Sequence, residues 1–258
     1  MTRRRTCLLA PIVLTIMVAC DPSGTFDRTA PEPRVAEVSV SPTVDVVEPD
    51  PVELARERTG FHGKIDPLSP ALSAEMRGTT WKRRCPVPLE DLRVLHFNYW
   101  GFNGVIKRGP LVTNADVAQD LLWVFRQLFA ARFPIKRVGL STEFVAERFQ
   151  PTISSNRSVT ASFNCRPVVT PLGPGDAFSQ HAFGLAIDIN PVQNPFVTSD
   201  GFVRNTEARP YVDRSEDLPG MIHPGDGVVR AFAGIGWGWG GSWSGSVKDY
   251  QHFSSTGG

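Results

Sequence analysis

The chain has 258 residues, 41% of them hydrophobic and 21% charged, with a formal net charge of +1. That is long enough to bury one sizeable core and carry an appended segment. The near-zero charge gives no reason to expect nucleic acid, or an acidic surface, as the main partner.

In chain order, the first residues read as an export signal. Arg3, Arg4 and Arg5 precede an apolar run from Leu8 to Ala19, which closes on Cys20. The run is shorter than the ~20 residues a permanent membrane helix requires, so residues 1–19 are expected to be removed. Met17-Val-Ala-Cys20 resembles a bacterial lipobox. That resemblance implies lipidation of Cys20 and anchoring at the outer face of the cytoplasmic membrane, or elsewhere in the cell envelope, without a transmembrane helix. Ordinary secretion is the alternative.

From Asp21 to Pro70 the chain is rich in proline, acidic residues, serine and threonine, as in Pro31-Glu-Pro33 and Glu48-Pro-Asp-Pro51. Such a stretch cannot offset its ordering entropy by apolar burial. Residues 20–80 are therefore read as a tether, with His62 a bystander in it, and residues 81–258 as one folded domain starting near Trp81.

Val94-Leu-His-Phe-Asn-Tyr-Trp100 reads as a strand carrying the bystander His96, with Gly101 and Gly104 marking the turn after it. Asn114 can cap the next helix, where Val117, Leu121, Leu122, Phe125, Leu128 and Phe129 recur at helical spacing until Pro134. A second strand is expected over 136–140, a surface loop over 152–164 and a short strand over 186–189. Asn190-Pro-Val-Gln-Asn-Pro195 should shape the loop after that strand, and residues 227–233 can form a brief helix. His223 sits in a surface loop. Gly236-Trp-Gly-Trp-Gly-Gly-Ser-Trp243 is a turn whose tryptophans either seal a core edge or line a groove for wall polymer, and a final strand spans 250–253. The mixture is α+β, a small and mostly antiparallel sheet with flanking helices.

Two clusters carry chemistry. In Ser179-Gln-His-Ala-Phe-Gly-Leu-Ala-Ile-Asp-Ile189 a loop histidine, His181, precedes a strand aspartate, Asp188, and Gly184 permits the turn between them. Near the C-terminus Asp249-Tyr-Gln-His252 adds a second histidine and a further carboxylate. Two imidazoles and a carboxylate suit a single zinc ion, with a coordination position left for water. Asp249 can then serve as the base, provided a bend aims both it and His252 inward. With Cys7 in the signal and Cys20 lipidated, Cys85 and Cys165 remain. An exported compartment favours their pairing as a disulfide, two separate buried thiols being the alternative.

The pattern Ser-x-His-x-x-Gly-x-Ala-x-Asp followed by Asp-x-x-His resembles the D-alanyl-D-alanine carboxypeptidase and L-alanyl-D-glutamate peptidase family, zinc peptidases that share a fold with the hedgehog signalling domain. Asn114 to Ile135, Ser162-Phe-Asn-Cys-Arg166, the stretch from His181 to Phe196 and Gly236 to Trp243 extend the likeness over most of residues 85–254. The resemblance implies that His181, Asp188 and His252 hold Zn2+ and that Asp249 is the catalytic base. It further implies that Arg166 holds substrate and polarises the scissile carbonyl, and that Ser179 contacts substrate. The implied reaction is hydrolysis of a peptide bond in a peptidoglycan stem peptide, by a monomer. A catalytically silent wall-binding or partner-binding module on the same fold is the alternative.

Overall fold

The computed structural model describes residues 60–145, 158–170, 173–203 and 205–257. All of them fall in one compact unit, Pro49–Gly258. The export signal, Cys20 and the tether up to residue 59 lie outside the described residues.

An antiparallel sheet opens the fold, with β1 (Gly63–Pro67), β2 (Leu92–Trp100) and β3 (Ile106–Asn114) in that spatial order. β2 is its centre and is apolar on both faces, which explains its density of aromatic and branched residues. One face carries Leu95, Phe97 and Tyr99 into the larger core, and the other carries Leu92 and Val94 into a second cluster with Met76, Phe163, Cys165 and Ala182. Helix α1 (Pro70–Met76), capped by Ser69, lies between β1 and β2 in the chain.

Residues 63–76 thus correct the tether boundary at residue 80: β1 pairs with β2 over five residues and Met76 is fully buried. The proline-rich composition conceals a strand whose own side chains stay mostly exposed, because backbone pairing and not burial holds it.

Helix α2 (Ala118–Ala130) follows a short turn that Asn114 caps by accepting from the Asp116 amide. Its stripe Leu121, Leu122, Phe125 and Leu128 packs on β2, where Phe97 and Phe125 stack with ring centroids 3.9 Å apart. An aromatic pair of this kind adds about 1 kcal/mol to the area it buries.

Two other expectations fail. Residues 136–140 are not a strand: Val138 makes a single bridge to Thr160. Residues 158–164 are not a surface loop but run buried through the domain. Their hydroxyls and amides substitute for a regular ladder: Ser158 Oγ donates to Gln193 Oε1, and Thr160 Oγ1 accepts from the Asn190 amide. Polar composition signals exposure only where the polar groups lack internal partners.

After α3 (Thr142–Val145), β4 (Pro167–Thr170) and β5 (Gly173–Phe178) form a two-stranded ladder that leads into α4 (Gln180–Phe183). β6 (Ala186–Asp188) pairs with β10 (His252–Ser254), which also pairs with β8 (Gly238–Trp239). β7 (Phe196–Val197) pairs with β9 (Lys248–Asp249), and α5 (Gly227–Ala233) packs against α2. The sheet structure is therefore several small antiparallel ladders, a distribution that α+β describes and that one sheet does not. Trp237 and Trp239 are buried with Phe232 and Phe253, so these two tryptophans seal the core and line no groove. Among the described residues no helix is long and apolar enough to cross a membrane.

Candidate metal centre

Strand register brings the first two donors together. β6 and β10 pair with Asp188 directly opposite His252, and His252 Nδ1 lies 3.2 Å from Asp188 Oδ1. Beyond them the same ladder buries Ile187 and Phe253 completely, which fixes the register, since a slip by one residue would expose both. The other edge of Asp188 is held as well: its backbone exchanges hydrogen bonds with Ala161 at 3.0 and 3.2 Å.

His181 arrives from α4. Ser179 caps this helix, its Oγ accepting from the His181 amide, and Gly184 ends it in the left-handed region at φ 67°. A Cβ at Gly184 would fall 2.5 Å from the Asn114 amide nitrogen. Glycine therefore meets both demands at that turn, which docks on the end of β3 through Thr113 Oγ1 and the Asn114 amide donating to Gly184 O. The His181 Nδ1–H donates to Ser162 O at 2.7 Å. That bond fixes the tautomer and leaves the Nε2 lone pair directed at Asp188 Oδ1, 3.3 Å away.

Donor atoms of His181, Asp188 and His252 all lie within 4.8 Å of one another, and His181 Nε2 is buried with no hydrogen-bond partner among the described residues. A buried lone pair without a donor, beside a second imidazole and a carboxylate, fits a cation. The spacing agrees: tetrahedral ligands at ~2.0 Å from an ion stand ~3.3 Å apart. Burial opposes ionisation of Asp188, but the positive charge that the adjoining His181 and His252 imidazoles carry when protonated outweighs it and holds this carboxyl far below the usual range, and a bound cation would act in the same direction. It is a carboxylate at any physiological pH. The three residues can hold a divalent metal ion.

Asp249 has the opposite character. Burial, reinforced by the charge of Asp188, pushes its carboxyl up to about 7, against the smaller downward pull of His252, Gln251 and Arg166. Its Oδ1 is buried without a hydrogen-bond partner among the described residues. Asp249 and His252 belong to different ladders, and the intervening Tyr250-Gln251 turn supplies the bend that lets both face inward. Two carboxyls with such divergent environments suit different tasks, one as a ligand and one as a group that exchanges protons near neutral pH.

The supporting shell was only partly visible in the sequence. Asn190 and Asn194 are fully buried. Asn190 accepts from the Lys136 amide and donates to Pro134 O and Gly220 O, and Asn194 donates to Gly220 O and accepts from the Ile222 amide. The segment 190–195 thus shapes the loop after Asp188, as its residues suggested. Arg214 carried no signal at all. It donates to Gln193 O, Asn194 Oδ1 and Ile222 O, and its guanidinium stacks 4.4 Å from the Tyr250 ring, tying that loop to the turn between Asp249 and His252. Ser162 was likewise missed, because its contribution is a backbone carbonyl and not a side chain.

Arg166 lies at the foot of β4, near enough to Asp249 to act on its charge. Ser179 is buried and engaged as a cap, so its place in the site is to position His181. Cys85 and Cys165 are joined in a disulfide, with Cα atoms 5.8 Å apart. Trp243 stands beside His252, its ring centroid 6.1 Å away. His223 is apart from this cluster, with Nε2 3.8 Å from Asp217 Oδ1, and His62 and His96 contribute no donor to it.

Residues 173–255 match the model of a family described as D-alanyl-D-alanine carboxypeptidase. The likeness read from the sequence therefore holds over the segment that contains Ser179, His181, Asp188, Asp249 and His252. Arg166 and the disulfide lie upstream of it. No curated protein and no solved structure matches the chain.

Proposed function

We propose that this member of the D-alanyl-D-alanine carboxypeptidase family is a zinc-dependent peptidase that cleaves a peptide bond in peptidoglycan stem peptides from outside the cytoplasmic membrane. The observation that carries this reading is the division of labour between the two carboxyls. Asp188 is held ionised between two imidazoles, and Asp249, buried and titrating near 7, stands beside them.

His181 through Nε2, His252 through Nδ1 and Asp188 through Oδ1 would hold the ion, and the mixed nitrogen and oxygen set favours zinc. When bound, zinc supplies a Lewis acid that polarises a carbonyl and lowers the pKa of water. The remaining work belongs to the chain. Asp249 takes the proton of the attacking water and delivers it to the leaving amine, a cycle for which a pKa near the working pH is best placed. The Arg166 guanidinium binds a substrate carboxylate through paired hydrogen bonds and adds positive charge where the oxyanion develops. Ser162, through its carbonyl, and Ser179, through its cap, keep His181 in the ligating tautomer and rotamer. The lipobox-like Cys20 and the segment after it suit a protein anchored in the envelope within reach of its substrate.

The purified protein, loaded with zinc and incubated with defined muropeptides, should release a product identifiable by mass, and chelation should abolish that release until zinc is restored. Asp249→Ala should reduce turnover by at least ~10²-fold, the usual scale for loss of a general base, while metal content measured by atomic emission is retained. Wall binding without a cleavage product, unaffected by Asp249→Ala, would mean a binding module on the same fold.

A further inference from the structure

Arg214 reaches both of the segments that meet beside Asp249. Its Nη1 donates to Gln193 O at 2.9 Å and to Tyr211 O at 3.0 Å, and its Nη2 to Ile222 O at 2.7 Å and to Asn194 Oδ1 at 3.2 Å. Its Cζ stands 4.4 Å from the centroid of the Tyr250 ring. Gln193 and Asn194 lead directly into Pro195, whose carbonyl accepts from the Tyr250 amide. That bond is the rung next to the Phe196 and Asp249 pair of the β7–β9 ladder. One guanidinium therefore holds both partners of the rung beside Asp249, the Pro195 side through hydrogen bonds to the two preceding residues and the Tyr250 side through its ring. A planar cation that donates in its plane and stacks on its face can do both at once, and an ammonium cannot.

The metal ligands have supports of their own. Asp188 and His252 are fixed by the register of β6 and β10 and by Ala161, and His181 by Ser162 O and the Ser179 cap. Arg214 bonds to none of these groups. Asp249 has less: its strand is two residues long, and its Oδ1 has no hydrogen-bond partner among the described residues. Where so short a ladder carries the base, its placement depends on what holds the next rung, and there Tyr250 is gripped by Trp239 Nε1, donating to its carbonyl at 2.8 Å, and by Arg214. We infer that Arg214 is a positioning residue for proton transfer, which through Tyr250 and the 193–195 segment sets where the Asp249 carboxyl stands relative to the three ligands. The inference rests on the peptidase reading above and adds to it what keeps the base in place.

A double-mutant cycle on the zinc-loaded full chain, with the muropeptide that wild type cleaves best, tests it. Arg214→Ala and Tyr250→Leu should each lower kcat by about thirtyfold, a part of the ~10²-fold that a reacting group misplaced by 1 Å can cost. KM should stay within about twofold, since substrate carboxylate is held by Arg166, and zinc content should match wild type. The double variant should fall no more than about twofold below the weaker of the two, because each single change removes the same contact. Tyr250→Phe keeps the ring and should keep kcat within about twofold, whereas Arg214→Lys keeps the charge without the planar fork and should lose most of what Arg214→Ala loses. If Arg214→Ala does not fold, the cycle is run with Arg214→Lys. A kcat unchanged in Tyr250→Leu and the Arg214 variants, or losses that multiply in the double variant, overturns the inference and leaves the peptidase reading standing. Zinc lost in step with kcat does the same, since Arg214 would then support the whole centre and not the base. Cleavage of no muropeptide by wild type overturns both.

Discussion

At the scale of single residues, Asp249 is where burial and chemistry conflict. Its folded pKa, raised from 3.8 to about 7, makes the protonated form the better-tolerated one in the fold. The sign follows: the folded state binds the proton more tightly, so this group's contribution is fully present below pH ~3.8 and is lost as pH rises through about 7. Asp188, with its pKa lowered, works in the other direction, its contribution lost only as pH falls below the unfolded value of 3.8. The two windows do not overlap. In chelator, Asp249→Asn should therefore melt progressively higher than wild type as pH is raised from 4 to 8, by on the order of 1 kcal/mol per unit within the window. Parallel melting curves at every pH would show that the carboxyl is not desolvated. The residues of this centre were legible in the sequence because ligand chemistry restricts them to histidine and carboxylate. Ser162 and Arg214 were not, because a carbonyl can come from any residue and an arginine half-buried among Gln193, Asn194, Ile222 and Tyr250 looks, in the sequence, like any other surface cation.

At the scale of elements, the site depends on small residues that let ladders approach. Asp249 reaches its position because β9 runs close against Gly240, where a Cβ would lie 2.5 Å from Asp249 O and 2.9 Å from its Cβ. Gly240→Ala has to push β9 away. His181, Asp188 and His252 sit on α4, β6 and β10, none of which is a ladder partner of β9. Gly240→Ala should accordingly keep its metal while turnover falls by about 10²-fold, the cost of misplacing a reacting group by roughly 1 Å. Loss of metal with activity would mean that β9 and β10 move together. The same logic explains which elements were readable. α2 and β2 announce themselves by periodicity, whereas β3 hides behind Gly109-Pro110. That pair is tolerated because β3 is an edge strand. It is also required, since a Cβ at Gly109 would fall 2.8 Å from Val138 O. Val138 packs across that glycine with one bridge to Thr160, and so residues 136–140, strand-like in composition, form no ladder of their own.

At the scale of the whole molecule, one covalent link joins the early part of the fold to the segment that carries Ser162 and Arg166. The Cys85–Cys165 disulfide closes a loop across a sequence separation of 80. In the chain-entropy account that closure is worth ~4.5 kcal/mol, and native bridges usually deliver 2–4. The bridge does not act alone on its segment. The Cys165 amide donates to Thr80 O, the Phe163 amide to Val112 O and the Asn164 amide to His181 O, so residues 162–165 are stitched into both the first sheet and α4. Those bonds should keep Ser162 O under His181 when the disulfide is opened, and with it the metal. Arg166 has less holding it among the described residues: there its guanidinium donates to the neighbouring Pro167 O, and its backbone is fixed by Ser179 on one side and the bridged Cys165 on the other. The Cys85→Ala/Cys165→Ala double variant should thus lose about 3 kcal/mol in denaturant unfolding and bind zinc as wild type does. It should hydrolyse substrate with a raised KM, the signature of a loosened carboxylate grip. An unchanged KM would mean that Arg166 is positioned without the bridge, and zinc loss in step with activity would mean that the 158–166 segment, and not the disulfide's effect on Arg166, limits the site.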